Sequence, residues 1–116
     1  MNYELSKSQK KIARQIIELG LQREYENGIK KMDNIIENWK AGKLDNRNTY
    51  LDIYKKLIAH DKHIGQRYDR MTGSNYLLII IGQLADGVIT LDEISEFNDE
   101  VKAIINKWVE LSNNKS

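Results

Sequence analysis

At 116 residues, with 41% hydrophobic and 30% charged residues, the chain has the length and composition of one compact folded domain that needs no metal or disulfide to hold a core. It contains no cysteine, which excludes disulfides, thiol catalysis and cysteine-ligated metals. The formal charge of +1 conceals an asymmetry, since residues 1–73 hold 15 Lys/Arg against 10 Asp/Glu and residues 74–116 hold 3 against 7, giving +5 and −4. Oppositely charged helices packed beside each other, with acids gathered at a helix N-terminus, account for it.

The opening Met1 to Lys7 lacks the apolar stretch of a secretion signal, and the run Tyr76 to Ile81 is too short to cross a bilayer. A cytoplasmic protein with no membrane partner is therefore expected. Proline is absent, glycine is sparse and no window alternates with period two, so helix is expected throughout. The first helix runs from about Ser6 to Ala41, with Gly42 placed for a left-handed C-cap. At 100° per residue, Leu21, Tyr25, Ile29, Met32, Ile36 and Trp39 share one face, and Gly28 and Ile35 fall on it too. Leu5, Ile12, Ile16 and Leu19 form a stripe on roughly the opposite side, so the apolar face switches near Gly20. Either the helix bends there, or residues 5–20 form an arm whose stripe meets a partner.

After the polar connection Lys43 to Asn48, a second helix is expected from Thr49, or a neighbouring Asn as cap, to about Met71 or Thr72. Its apolar positions include Tyr50, Leu51, Tyr54, Leu57, Ile58, Ile64 and Tyr68, and Asp61 lies at the centre of that face. A carboxylate there must be paired or serve a site, and Tyr54, Gly65 and Tyr68 beside it outline a candidate pocket. Ser74 is placed to cap the next helix, Asn75 to Asp86, which shows no polar face and is expected to be buried all round. Gly87 ends it. Thr90 with Glu93 forms a capping box for a last helix whose stripe is Ile94, Phe97, Val101, Ile104, Trp108 and Leu111. Trp39 and Trp108 are expected in the core. The tail from Ser112 to Ser116 is expected to fray.

The order of a long first helix closing in Trp39-Lys40-Ala41-Gly42, a second helix with Gly65-Gln66-Arg67-Tyr68, and then Gly87-Val88-Ile89-Thr90-Leu91-Asp92-Glu93 resembles a family of small uncharacterised bacterial all-helical proteins. The resemblance spans most of the chain. It implies an all-helical fold and a bacterial origin, and brings no activity.

Three constellations carry chemistry. Asp86-Gly87-Val88-Ile89 with Glu93 repeats the closing half of an EF-hand loop, but Gly82 and Leu84 fall where calcium needs oxygen ligands. His60, Asp61 and His63 offer metal-ligating groups on one helix and look like the His-Asp dyad of the HD phosphohydrolases, yet these are the only two histidines and the family needs a third. Lys56, His60, His63, Arg67 and Arg70 make a cationic stripe that, with Lys7, Lys10, Lys11 and Arg14, can contact phosphates. No recognised nucleic-acid-binding signature accompanies it.

The expected fold is all-α, a compact bundle of four to five helices around the short apolar helix at about 75–86, forming one domain over residues 1–116. The expected function is that of a non-enzymatic interaction protein with no cofactor, self-associating or binding another protein through Leu5, Ile12, Ile16 and Leu19. A nucleic-acid-associated protein using its cationic faces, and a metal-dependent hydrolase at His60, Asp61 and His63, are the alternatives.

Overall fold

A computed structural model describes residues 3–113. The fold is all-α, with helices α1 (Lys7–Lys40), α2 (Asn46–Tyr68), α3 (Tyr76–Ala85) and α4 (Asp99–Asn113), short 3₁₀ turns at Gly73–Asn75 and Leu91–Ile94, and no strand among the described residues. No described helix is long and apolar enough to cross a membrane. Where length alone suggests one undivided domain, the contacts fall into two compact units. One joins the chain up to Leu21 with the chain from Arg70 onward, and the other is Gln22–Asp69. Residues 114–116, most of the tail expected to fray, lie outside the described residues.

The first unit is a closed apolar core. The Ser6 hydroxyl accepts from the Gln9 backbone N–H at 3.3 Å and starts α1, which runs through Gly20 as one uninterrupted α-helix. Leu5 and Ile16 are buried there together with Ala13 and Ile17, Ile12 is half-buried, and only Leu19 is exposed. The stripe assigned to a partner from the sequence is thus largely used up by the chain's own core. Helix α3 supplies Tyr76, Leu77, Ile79, Ile80 and Ile81 to that core, while Leu78 is exposed, so its apolar surface is not covered all round. Its N-cap is Asn75 and not Ser74, and the Asn75 side-chain oxygen accepts from the Thr72 N–H at 2.8 Å to close the preceding 3₁₀ turn. Its end is Gly87, at φ +71°, as the sequence predicts. Gln83 is fully buried and donates from Nε2 to the Ile17 carbonyl at 3.1 Å.

The C-terminal reading needs more correction. Glu93 does accept from the Thr90 N–H at 2.9 Å, but that box opens a single 3₁₀ turn. Helix α4 begins later, where the Asn98 side chain accepts from the Val101 N–H at 2.9 Å, and Asn98 itself donates its N–H to Gln9 Oε1 at 2.9 Å. The restart makes Val101 and Ile105 the buried pair of α4, in place of the expected Ile104, and leaves Trp108 and Leu111 exposed.

The second unit is an antiparallel helical hairpin built from the later part of α1 and from α2. Gly42, at φ +77°, closes α1, and the Lys43 N–H returns to the Asn38 carbonyl at 2.9 Å. Asp45, rather than Thr49 or an Asn, caps α2 by accepting from the Asn48 N–H at 2.7 Å. At this closed end the Trp39 indole donates to Asn46 Oδ1 at 2.7 Å, with its ring exposed and not in the core. Helix α2 stops at Tyr68, short of the expected Met71.

Candidate functional site

The hairpin is organised around one carboxylate. Glu24 is 4% exposed, and it lies on a row of α1 with Gly20, Gly28 and Ile35, four or seven residues apart, all of them buried. Burial of a carboxylate has to be compensated. Helix α2 brings three donors to it: His63 Nε2 at 2.6 Å and Arg67 at 3.0 Å on Oε1, and the Tyr68 hydroxyl on Oε2. One turn earlier, His60 Nε2 donates to the backbone carbonyl of Glu24 at 2.8 Å. This approach needs Gly28, because a Cβ there would sit 2.6 Å from His60 Cδ2. Burial pushes the Glu24 carboxyl up, but the Tyr68 hydroxyl, His63 and the Arg67 guanidinium together hold it below its ordinary value. Glu24 is therefore an ionised, fully partnered group that fixes the register of the two helices.

This arrangement redefines the cationic stripe of α2. Lys56 pairs with Asp52 at 3.7 Å, while Arg67 serves as counter-charge for Glu24 and His63 donates a hydrogen bond to it, so the stripe is only partly a free surface. A carboxylate and a carbonyl can only accept, so Nε2 of both histidines carries the proton and is not offered to a metal. Among the described residues no three His, Asp or Glu side chains gather as a metal-ligand set.

Asp61 is exposed, and neither a buried ion pair nor an enclosed acid holds it. The pocket outlined by Asp61, Tyr54, Gly65 and Tyr68 does not form, because Tyr68 is buried against Glu24 while Tyr54 is exposed, and a Cβ at Gly65 would meet Asp69 at 2.8 Å. The helix phase expected from the sequence therefore needs correction, since α2 turns Thr49, Ile64 and Tyr68 inward and not Asp61. Leu57, Ile58 and Tyr54, around Asp61, are exposed with it, so the apolar face exists and lies open. Asp61 shares a shallow trough with Leu57 and Ile64 of α2 and Tyr25, Ile29 and Met32 of α1. Toward the closed end, Ile36 and Trp39 line a second trough with Tyr50 and Ile53.

Sequence reasoning missed Glu24, though a signal was present. The buried row of α1 continues from Ala13 and Ile17 through Gly20, Glu24 and Gly28 to Ile35, with no apolar side chain between Ile17 and Ile35. The apparent face switch near Gly20 is this gap, beside which an exposed apolar arc runs in parallel. No family model, no curated protein and no solved structure matches the chain.

Proposed function

We propose that this is a non-enzymatic interaction protein that docks on another polypeptide through the open side of the Gln22–Asp69 hairpin. The observation that carries the reading is the apolar surface the hairpin leaves in water. Tyr25, Ile29 and Trp39 of α1 and Tyr50, Leu51, Tyr54, Leu57 and Ile58 of α2 are all exposed, Tyr50 by 75% and Ile29 by 69%. Scattered exposed apolar residues are ordinary, but a contiguous patch contributed by two helices and rich in Tyr and Trp has the composition of a docking surface. Its shallow troughs and three-and-four spacing suit the apolar side of a helix. Glu24 supports the same reading, since its lone pairs are taken by its own neighbours and it is spent on rigidity. The nucleic-acid alternative has less support, with His63 and Arg67 engaged by Glu24.

A photoreactive phenylalanine analogue placed at Tyr54, irradiated in living cells, tests the proposal against the same analogue at exposed Lys30, which pairs with Glu26. Covalent protein adducts from position 54 and none from position 30 are expected. No polypeptide adduct at position 54 would overturn it.

A further inference from the structure

The open face of α2 reads nearly the same in both directions. From Tyr54 outward, Leu51 and Leu57 stand three residues away, Tyr50 and Ile58 four, and Arg47 and Asp61 seven. The apolar positions match in kind and the end positions are opposite in charge. All seven side chains are exposed. Arg47 and Asp61 are about 21 Å apart along the helix, at about 1.5 Å per residue, so they cannot meet within one chain. Among the described residues neither forms an ion pair.

A surface with this symmetry is complementary to itself under a two-fold rotation, which places residue i against residue j and j against i. We infer that the occupant of the open hairpin face is a second copy of this chain, with the two α2 helices antiparallel and crossing at Tyr54. The inference rests on the proposed docking role of that face and names its partner. In this register Tyr54 lies beside Tyr54 of the second copy, where rings pack offset. Tyr50 meets Ile58, Leu51 meets Leu57, and Arg47 and Asp61 form one ion pair at each end. Sliding the register by four residues sets Arg47 against Leu57 in one direction and against Gly65 in the other, so Arg47 loses its ion pair either way, a penalty that selects the symmetric alignment. Asp61, unexplained inside one chain, becomes a register element.

Sedimentation equilibrium of the full chain is the first test, with circular dichroism confirming that each variant remains folded. The wild type is expected at twice the 13.5 kDa chain mass. Arg47→Asp and Asp61→Arg, each leaving like charges opposed, should weaken the dimer at least tenfold, and the double variant should return to within about threefold of wild type. Because the chain has no cysteine, single cysteines then report the alignment. Tyr54→Cys should oxidise to a disulfide-linked homodimer, while Tyr50→Cys and Ile58→Cys should cross-link with each other when mixed and poorly alone. A monomeric wild type, or additive losses in the charge-swapped double variant, would overturn the inference. If the photo-adduct at Tyr54 joins a different polypeptide, the docking role stands and self-association falls. If there is no adduct at all, both fall.

Discussion

The two units of this chain distribute polarity in opposite ways. In the unit that joins the N-terminal residues to the C-terminal half, apolar side chains fill the interior, and its buried polar residues, Gln9 and Gln83, each form a directed hydrogen bond. In the hairpin the buried seam is polar, with Glu24 meeting His63, Arg67 and Tyr68, and much of the apolar surface faces water. The first unit is held by burial, which is strong and tolerant of detail. The second is held by a charge network, which fixes register at a high desolvation cost. The proposed docking role fits that kind of scaffold, because apolar residues presented to a partner cannot also serve as a core.

The sharpest way to break this contrast is at Ile16, which is buried in the closed unit although the sequence placed it on a free stripe. Ile16→Glu should cost more than about 4 kcal/mol, since it leaves an unpaired charge among apolar side chains, and the helical circular-dichroism signal should be lost or melt far earlier. A folded variant of lower solution mass would instead restore the N-terminal stripe as an interface. Next in size is Glu24→Ala, which leaves Arg67 and Tyr68 without their shared acceptor and should cost about 3 to 5 kcal/mol in urea unfolding. The same group gives the hairpin a pH dependence. Because Glu24 titrates below its ordinary value of 4.5, its contribution is complete above that pH and is lost as pH falls through the lower folded value. A Glu24→Gln variant should show a shallower acid loss than wild type, and equal slopes would remove Glu24 from the account. The smallest effect is expected on the open side. Leu57→Ala, measured in protein dilute enough to be monomeric, should change stability by no more than about 0.5 kcal/mol. A loss of several times that amount would mean that the face is already covered within the chain.

The sequence made the fold class and most boundaries legible because they depend on local chemistry. Gly42 and Gly87 end their helices in the left-handed conformation as expected, and the Thr90–Glu93 box forms. What it could not supply was which of two adjacent rows on a helix faces inward. In α1 the row with more apolar residues, Tyr25, Ile29 and Trp39, is the exposed one, and the row of Gly20, Glu24 and Gly28 is buried. Hydrophobic periodicity assumes that the greasier side is the core, an assumption that fails in this hairpin, where the greasier side is the exposed one. Asp61 was set at the centre of the inward face for the same reason, whereas α2 turns Thr49, Ile64 and Tyr68 inward and leaves Asp61 exposed. The stripe of His60, His63 and Arg67 was visible as charge, but nothing local showed that its main counter-charge lies on α1.

The chain order of the two units also bears on how the protein is made. Residues up to Leu21 share their core with residues after Arg70, so the closed unit cannot be completed until the whole hairpin and then α4 have been synthesised. At roughly 5–20 residues per second, Ala13, Ile16 and Ile17 wait for seconds while the hairpin emerges behind them. Both apolar surfaces, one destined for the interior and one for the outside, are then uncovered together on a nascent chain. A factor that shields the segment up to Leu21 during translation should raise the yield of folded protein, and protease digestion of chains stalled far enough past Asp69 to bring α2 out of the exit tunnel should cut that segment while sparing the Glu24 seam.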